Sequence, residues 1–444
     1  MTSKRKRLIS LITLIIIVSL GFVGICNQTI ISFSDSWMHT YGTSDSSYIS
    51  DMIARNNNEF VIRGEIDRKF MILGIDGTGA VLWNHPLHTN FHKMIATSDG
   101  GVMFIGTKRG SYDALYLYRI DANNSVMWER SYNPPRSIAD RPVYIQFSPD
   151  AIQTSDGGVL VACHVIDHSV HQRARTWLAR LDNTGSLIWN VSYFLHPLFL
   201  PKLLQLPTDE IIITGLNYHE WAPAIVYLNR TGDILWNYTF DELTTPHIEE
   251  VFAIRKSGGE IVIGGGSNKE VYLIGIDTTD HSIIWNHTYS HSHSVYISSM
   301  IQTSDGGYAL AGFITLDADD WDAYLLCTDA NGIRLWNRTY GGLYRDKVNA
   351  LLQTLDKGFI LAGTTFSFGI GNNETSTSDA WIFKTDIFGY ISPLPKFLEG
   401  LMFIGWGLSL GGALVMGIMT ADLFLNYRKK HQDQHPNEKI KGNK

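Results

Sequence analysis

The chain has 444 residues, 44% hydrophobic and 12% aromatic, with 12 Trp and 40 Gly. That profile suits an all-β repeat protein with many tight turns rather than a helical or disordered chain. The formal net charge is −7, but it is segregated. Setting aside the ten basic and two acidic residues of the ends (2–7 and 428–444) leaves 26 basic and 41 acidic residues, a net of −15. A middle of that sign excludes nucleic acid as a partner. Three cysteines, Cys26, Cys163 and Cys327, lie far apart and read as buried free thiols rather than a disulfide framework.

Residues 1–7 form a basic start, with Lys4, Arg5, Lys6 and Arg7. Leu8–Cys26 follows without a charge, long for a signal-peptide core and about long enough to span a bilayer. A small-x-small cleavage site is missing, so residues 8–30 are expected to be an uncleaved signal-anchor, with a cleaved signal peptide as the alternative. A second apolar run, Leu401–Ala421, marks a transmembrane helix over 397–425. Behind it lies a basic tail, 426–444, opened by Arg428, Lys429 and Lys430. By the positive-inside rule both termini are cytoplasmic and the middle is outside, at the cell membrane.

Between these runs the chain repeats. Trp37, Trp83, Trp128, Trp189, Trp236, Trp285 and Trp336 recur at intervals close to those of a propeller blade, except for a longer one between Trp128 and Trp189. Residues 299–342 hold the clearest copy: QTSDGG, an apolar strand, an alternating strand ending in Asp329, the turn to Gly332, then the Trp336 strand. Asp-Gly and Gly-Gly supply the positive φ of hairpin turns. Repeats 2 and 5 depart from the second turn, with Asn124 and Asp280 near the Gly position. Four short antiparallel strands per repeat make one blade of a β-propeller, here over 36–392.

Counting strands predicts the closure. Seven strand bodies begin near residues 52, 94, 150, 203, 252, 300 and 350. The Trp37 strand precedes all of them, and the last body ends at Asp386 with no Trp strand after it. The expected fold is therefore a seven-bladed all-β propeller whose N-terminal strand completes blade 7, flanked by N- and C-terminal transmembrane helices.

These units resemble the QTSDGG…AG…TD..G…W repeats of uncharacterised, secreted or membrane-anchored prokaryotic propellers, many of them archaeal. The D-x-x-G-x-x-x-W turn is also similar to the tryptophan-docking motif of quinoprotein propellers, although the Asp-to-Gly spacing is one residue shorter here. That resemblance implies that the seven tryptophans pack between neighbouring blades. No residue of the quinoprotein cofactor or calcium site transfers to this chain, and no cofactor is expected.

Within each blade, strands A to D run from the axis outward. A–B and C–D turns share one face and are near-uniform. B–C and D–A loops share the other and vary, as at 133–149, 164–176, 216–222, 313–321 and 364–379. Binding is expected on the variable loops. Candidates there are Asp140, Arg141, Tyr144, Trp177, Trp221, Asp319, Trp321, Asp322, Asp379 and Trp381. Aromatics at loop ends suit a protein or carbohydrate partner. Histidines near 164–171 and 287–293 read as solvated loop residues rather than metal ligands, and no metal site is assigned. No P-loop, G-x-S-x-G, H-E-x-x-H or C-x-x-C is present, and no catalytic residue is named. The expected function is an extracytoplasmic binding or assembly scaffold; the alternative is a propeller enzyme with a site at the channel mouth. Candidate glycosylation sequons stand at Asn27, Asn123, Asn190, Asn229, Asn237, Asn286, Asn337 and Asn373.

Overall fold

Alternating apolar residues, broken at short intervals by Gly- and Asp-containing turns, fold into four-stranded antiparallel sheets. The computed structural model describes residues 36–391, less 43–44, 56–58, 88, 90, 109–113, 136–142, 146–148, 168–172, 194–196, 218, 244–249, 257–258, 268, 318–319 and 370–376. Both apolar runs, Asn27, Asp140, Arg141, Asp319 and Asn373 lie outside the described residues. Among the described residues no helix is long and apolar enough to cross a membrane.

The chain opens with β1 (Trp37–Tyr41). Blade 1 is β2 (Tyr48–Arg55), β3 (Glu59–Ile66), β4 (Lys69–Asp76) and β5 (Val81–Pro86). Blade 2 is β6 (Phe91–Ala96), β7 (Val102–Lys108), β8 (Ala114–Ile120) and β9 (Val126–Tyr132). Blade 3 is β10 (Val143–Ile145), β11 (Asp150–Gln153), β12 (Val159–Asp167), β13 (Arg173–Leu181) and β14 (Leu187–Tyr193). Blade 4 is β15 (Leu198–Gln205), β16 (Ile211–Asn217), β17 (Ala222–Leu228) and β18 (Ile234–Thr239). Blade 5 is β19 (Val251–Arg255), β20 (Glu260–Ser267), β21 (Glu270–Asp277) and β22 (Ile283–Ser290). Blade 6 is β23 (Val295–Gln302), β24 (Tyr308–Thr315), β25 (Trp321–Thr328) and β26 (Arg334–Tyr340). Blade 7 is β27 (Asp346–Gln353), β28 (Phe359–Thr365) and β29 (Asp379–Thr385), completed by β1 in the order β1-β29-β28-β27.

The seven-bladed propeller and its closure are thus as the repeat count predicts. Trp37 pairs with Lys384, Thr40 with Trp381 and Tyr41 with Ala380. The seam has further bonds: Asn349 Nδ2 donates to the Ile49 carbonyl at 2.6 Å, and Ser47 N donates to the Ser378 carbonyl at 2.6 Å. The longer third repeat has a structural reason that its sequence did not disclose. Its extra residues include β10, which pairs with the far half of β12 while β11 pairs with the near half.

Two latches join successive blades, and both use repeat residues. At the C–D turns, each outer-strand Trp docks on the next blade. The Trp285 ring covers Gly332 (φ +78°); a methyl there would stand 2.7 Å from the ring. Four residues after that Trp, the Tyr289 hydroxyl donates to the Gly332 carbonyl. Tyr41 to Gly79, Tyr132 to Gly185, Tyr193 to Gly232 and Tyr340 to Gly389 repeat the bond. Blades 1 and 4 carry Leu87 and Phe240 where this Tyr would be, and they face the two turns without the glycine. Next to blade 1, Asn124 (φ +63°) is held by Arg55 Nη1 at 2.6 Å. Next to blade 4, His281 (φ +61°) stacks on Trp236 at 4.5 Å and 10°. The left-handed residue of that turn is therefore His281, not Asp280, because the turn is one residue longer.

At three of the A–B turns the Gln that ends strand A reaches back one blade. Gln153 accepts from Ser98 N at 2.7 Å, Gln205 from Ser155 N at 3.0 Å and Gln353 from Ser304 N at 2.7 Å. The pKa values of the turn aspartates are lowered, first by hydrogen bonds from their own threonines: Thr97 for Asp99, Thr154 for Asp156. Arg119 and Arg180 then pair with them.

Candidate functional site: the loop face

The axis is lined by charge from five consecutive innermost strands or their approaches: Asp51, Lys93, Asp150, Lys202 and Glu250. Lys93 lies 3.9 Å from Asp51, and Lys202 lies 3.1 Å from Glu250. Asp51 raises the Lys93 ammonium against burial, and Asp150 and Glu250 add to it. Asp51 also accepts from Met94 N at 2.7 Å, and Asp150 accepts from Leu203 N at 2.7 Å. These acids are bound into the ring, each opposed by a lysine or a backbone amide.

The loop face separates the sequence candidates into three groups. Trp177 and Trp381 are corrected: each is only 1% exposed and packs in the core between blades. Strand C is covered on both faces at these positions, so the rings serve packing and not a partner. Asp379 is likewise buried, crowding Gly42 and Gly369 beneath the loops. Tyr144 lies in β10. Two of the histidines, His164 and His287, are corrected too. His164 is buried in β12 with Nδ1 on the Leu198 carbonyl at 3.0 Å, and His287 in β22 reaches the Asn331 carbonyl of the next blade at 3.1 Å. Among the described residues no His, Cys, Asp and Glu gather as a metal site.

Trp321 is half-buried at the mouth of blade 6. Phe313 stacks on it at 5.1 Å, Tyr296 on Phe313 at 4.6 Å, and the Arg345 guanidinium lies 4.7 Å over the Trp321 ring. Beside this stack sit two carboxyls. Asp346 is fully buried and accepts from Gly342 N at 2.9 Å and Phe366 N at 3.2 Å. Asp322 crowds the same point beside Gly341, 1.8 Å from where a β-carbon would stand, with Asp346 at 3.0 Å. Burial pushes Asp322 up to about 7, helped by the charges of Asp320 and Asp346. Burial raises Asp346 as well.

A carboxyl whose pKa rises on folding stabilises the fold at low pH. That contribution is lost as pH rises from about 4 through about 7. Asp322→Asn is therefore expected to flatten the fall in melting temperature between pH 5 and roughly pH 7.5. A slope unchanged by the substitution, measured by scanning calorimetry, would contradict the raised pKa.

Trp221 is the exposed member of the set, 46% open to solvent. Its ring lies tilted against Phe199 at 5.8 Å and 58°, and Phe199 meets His164 edge-on at 5.5 Å. Its backbone lies at φ +53°, and Leu200 beside Phe199 lies at +49°. A bulky residue in that region is strained by about 1–3 kcal/mol, and such strain collects at binding sites. Trp221 N donates to the Asn217 carbonyl at 2.8 Å, and Asn217 Nδ2 donates to Glu220 Oε2 at 2.8 Å. These bonds fix the turn that presents the indole. The loop position of Trp221 is legible in the sequence; its exposure and its backbone angle distinguish it from Trp177.

No protein-family model matches the chain, and none of the curated proteins matches it. Solved structures do. The Dos1 propeller is similar with a TM-score of 0.48 and 14% identity, covering 77% of this chain and 82% of that one. A catalytically inactive virginiamycin B lyase from Staphylococcus aureus with quinupristin has a TM-score of 0.48 and 13% identity, covering 79% and 100%. A quinohemoprotein alcohol dehydrogenase from Pseudomonas putida has a TM-score of 0.41 and 12% identity, covering 81% and 78%. What these structures share with this chain is the propeller fold alone.

Proposed function

We propose that the protein is a membrane-anchored, extracytoplasmic propeller that recognises a protein or carbohydrate partner through its variable loop face. The observation that carries this reading is the division of labour between the two faces. On the turn face the repeated Gln, Trp and Tyr side chains are committed to contacts with the neighbouring blade, and the turn aspartates to bonds within their own blade. The loop face holds an exposed Trp on strained backbone. Described chain enters at Trp37, beside Lys384, and leaves after the Asp386–Tyr390 turn, both on the turn side. On this reading the loop face is the one turned away from the bilayer.

Trp221→Gly tests the reading on the full chain. Glycine accepts the positive φ, so the melting temperature should not fall. Affinity for the partner recovered from native membranes should drop by about 2 kcal/mol, roughly thirtyfold, as for a central aromatic anchor. Unchanged affinity, or an equal loss on substituting Gln205 of the turn face, would defeat the proposal.

A further inference from the structure

The outer strands of the propeller carry a feature that neither latch uses. Just before the Trp, they expose aliphatic side chains: Leu82, Met127, Ile188, Leu235, Ile284 and Leu335 are each about half open to solvent. Such a belt on six unpaired edge strands is an association hazard. In four consecutive blades it is followed at once by a sequon: Trp189-Asn190-Val191-Ser192, Trp236-Asn237-Tyr238-Thr239, Trp285-Asn286-His287-Thr288 and Trp336-Asn337-Arg338-Thr339.

Ile188, Leu235, Ile284 and Leu335 are each the extra residue of a β-bulge in the outer strand, exposed and two positions before Asn190, Asn237, Asn286 and Asn337 on the same free edge. Asn190, Asn237 and Asn286 are exposed, and Asn337 is half-exposed. Asn190 Oδ1, not the Nδ2 that would react, accepts from Trp177 Nε1 at 3.3 Å. The sequon at Asn229 is built differently. Its Oδ1 accepts from Thr231 N, Thr231 Oγ1 and Asp233 N at 2.9, 2.7 and 2.8 Å, and its Nδ2 donates to Asp233 at 2.9 Å. There the Asn stands in for the turn Asp of other blades, and both sequon side chains are occupied.

We propose that Asn190, Asn237, Asn286 and Asn337 carry N-linked oligosaccharides that lie over the exposed aliphatic residues of blades 3 to 6, while Asn229 does not. The donor is a polyprenyl-phosphate-linked oligosaccharide held by a membrane oligosaccharyltransferase. Asn Nδ2 attacks C1 of the first sugar, the N–C1 bond forms and the C1–O bond to phosphate breaks. The lipid phosphate leaves with the electron pair, and the amide proton passes to a base of the transferase. The first sugar then sets its apolar face against the neighbouring aliphatic side chain and blocks the strand edge.

This inference rests on the extracytoplasmic placement proposed above, so the test reads both. Leu355, on an A–B turn and 90% exposed, is replaced by Cys in the full chain. Intact cells are then treated with a membrane-impermeant maleimide, and glycopeptides of the purified protein are assigned by mass. The expected result is labelling at position 355, hexose-containing mass at the four strand asparagines and none at Asn229. Thr288→Val and Thr339→Val should each remove one glycan without touching the asparagine. Labelling at 355 with bare strand asparagines overturns the glycan inference and leaves the placement standing. Labelling only after permeabilisation overturns both. Sugar on Asn229 with bare strand sites overturns the selection by geometry.

Discussion

Deleting residues 36–42 will abolish the single cooperative unfolding transition of the propeller. β1 supplies more than a ladder to β29. Trp37 Nε1 donates to the Gly77 carbonyl at 2.8 Å, Tyr41 donates to the Gly79 carbonyl at 2.6 Å, and His39 meets the Thr78 carbonyl at 2.9 Å. One strand thus completes blade 7 and latches it to blade 1. Its loss bares the edge of β29, whose seven residues are all buried in the intact ring, and an uncovered apolar strand edge aggregates. Seam bonds from Asn349 and Ser378 remain, but they do not replace a strand. Denaturant melts followed by fluorescence should broaden and split, and the truncated protein should elute as aggregate. A truncated chain that melts at the same midpoint with the same slope would remove the closure from the account.

Gly332→Val should be strongly damaging, costing about 3 kcal/mol. The backbone at φ +78° strains a branched residue, and its side chain would meet the Trp285 ring and His287 within 3 Å. The Tyr289 bond to the Gly332 carbonyl would be lost with the docking. Asn124→Gly is the matched contrast. That turn has no Tyr partner, and Arg55 binds its residues through Asn124 Oδ1, the Asp121 carbonyl and the Ala122 carbonyl. Removing the Asn side chain should cost about 1 kcal/mol, one charge-assisted hydrogen bond offset by relief of φ. Equal losses at the two turns in chemical denaturation would show that the Trp-Tyr-Gly latch has no special weight.

Blade number and closure were legible because they follow from counting: one Trp strand too many at the start, one too few at the end. The latch was half legible. W-x-x-x-Y recurs at Trp37, Trp128, Trp189, Trp285 and Trp336, and fails at Trp83 and Trp236, the two that face Asn124 and His281. Read together, those exceptions would have identified the Tyr as the partner of the turn glycine. The loop face was less legible. In the sequence Trp177 and Trp381 fall at loop ends like surface aromatics, yet both lie inside strand C, where neighbouring blades cover them. The meeting of Asp322 with Asp346 depends on how residues 341–345 bring two blades together, which no local pattern encodes. The strain at Trp221 is a backbone angle, and its sequence neighbours, His219, Glu220 and Ala222, carry no glycine to announce it.

The most direct measurement of the central claim is residue-specific photo-crosslinking in native membranes. A photoreactive phenylalanine analogue replaces Trp221 on the loop face in one full-length variant and Ser155 on the turn face in another. Recognition through the loops predicts one discrete adduct from position 221 and none of that mass from position 155. An adduct from position 155, with position 221 silent, would contradict it and place the working surface on the turns.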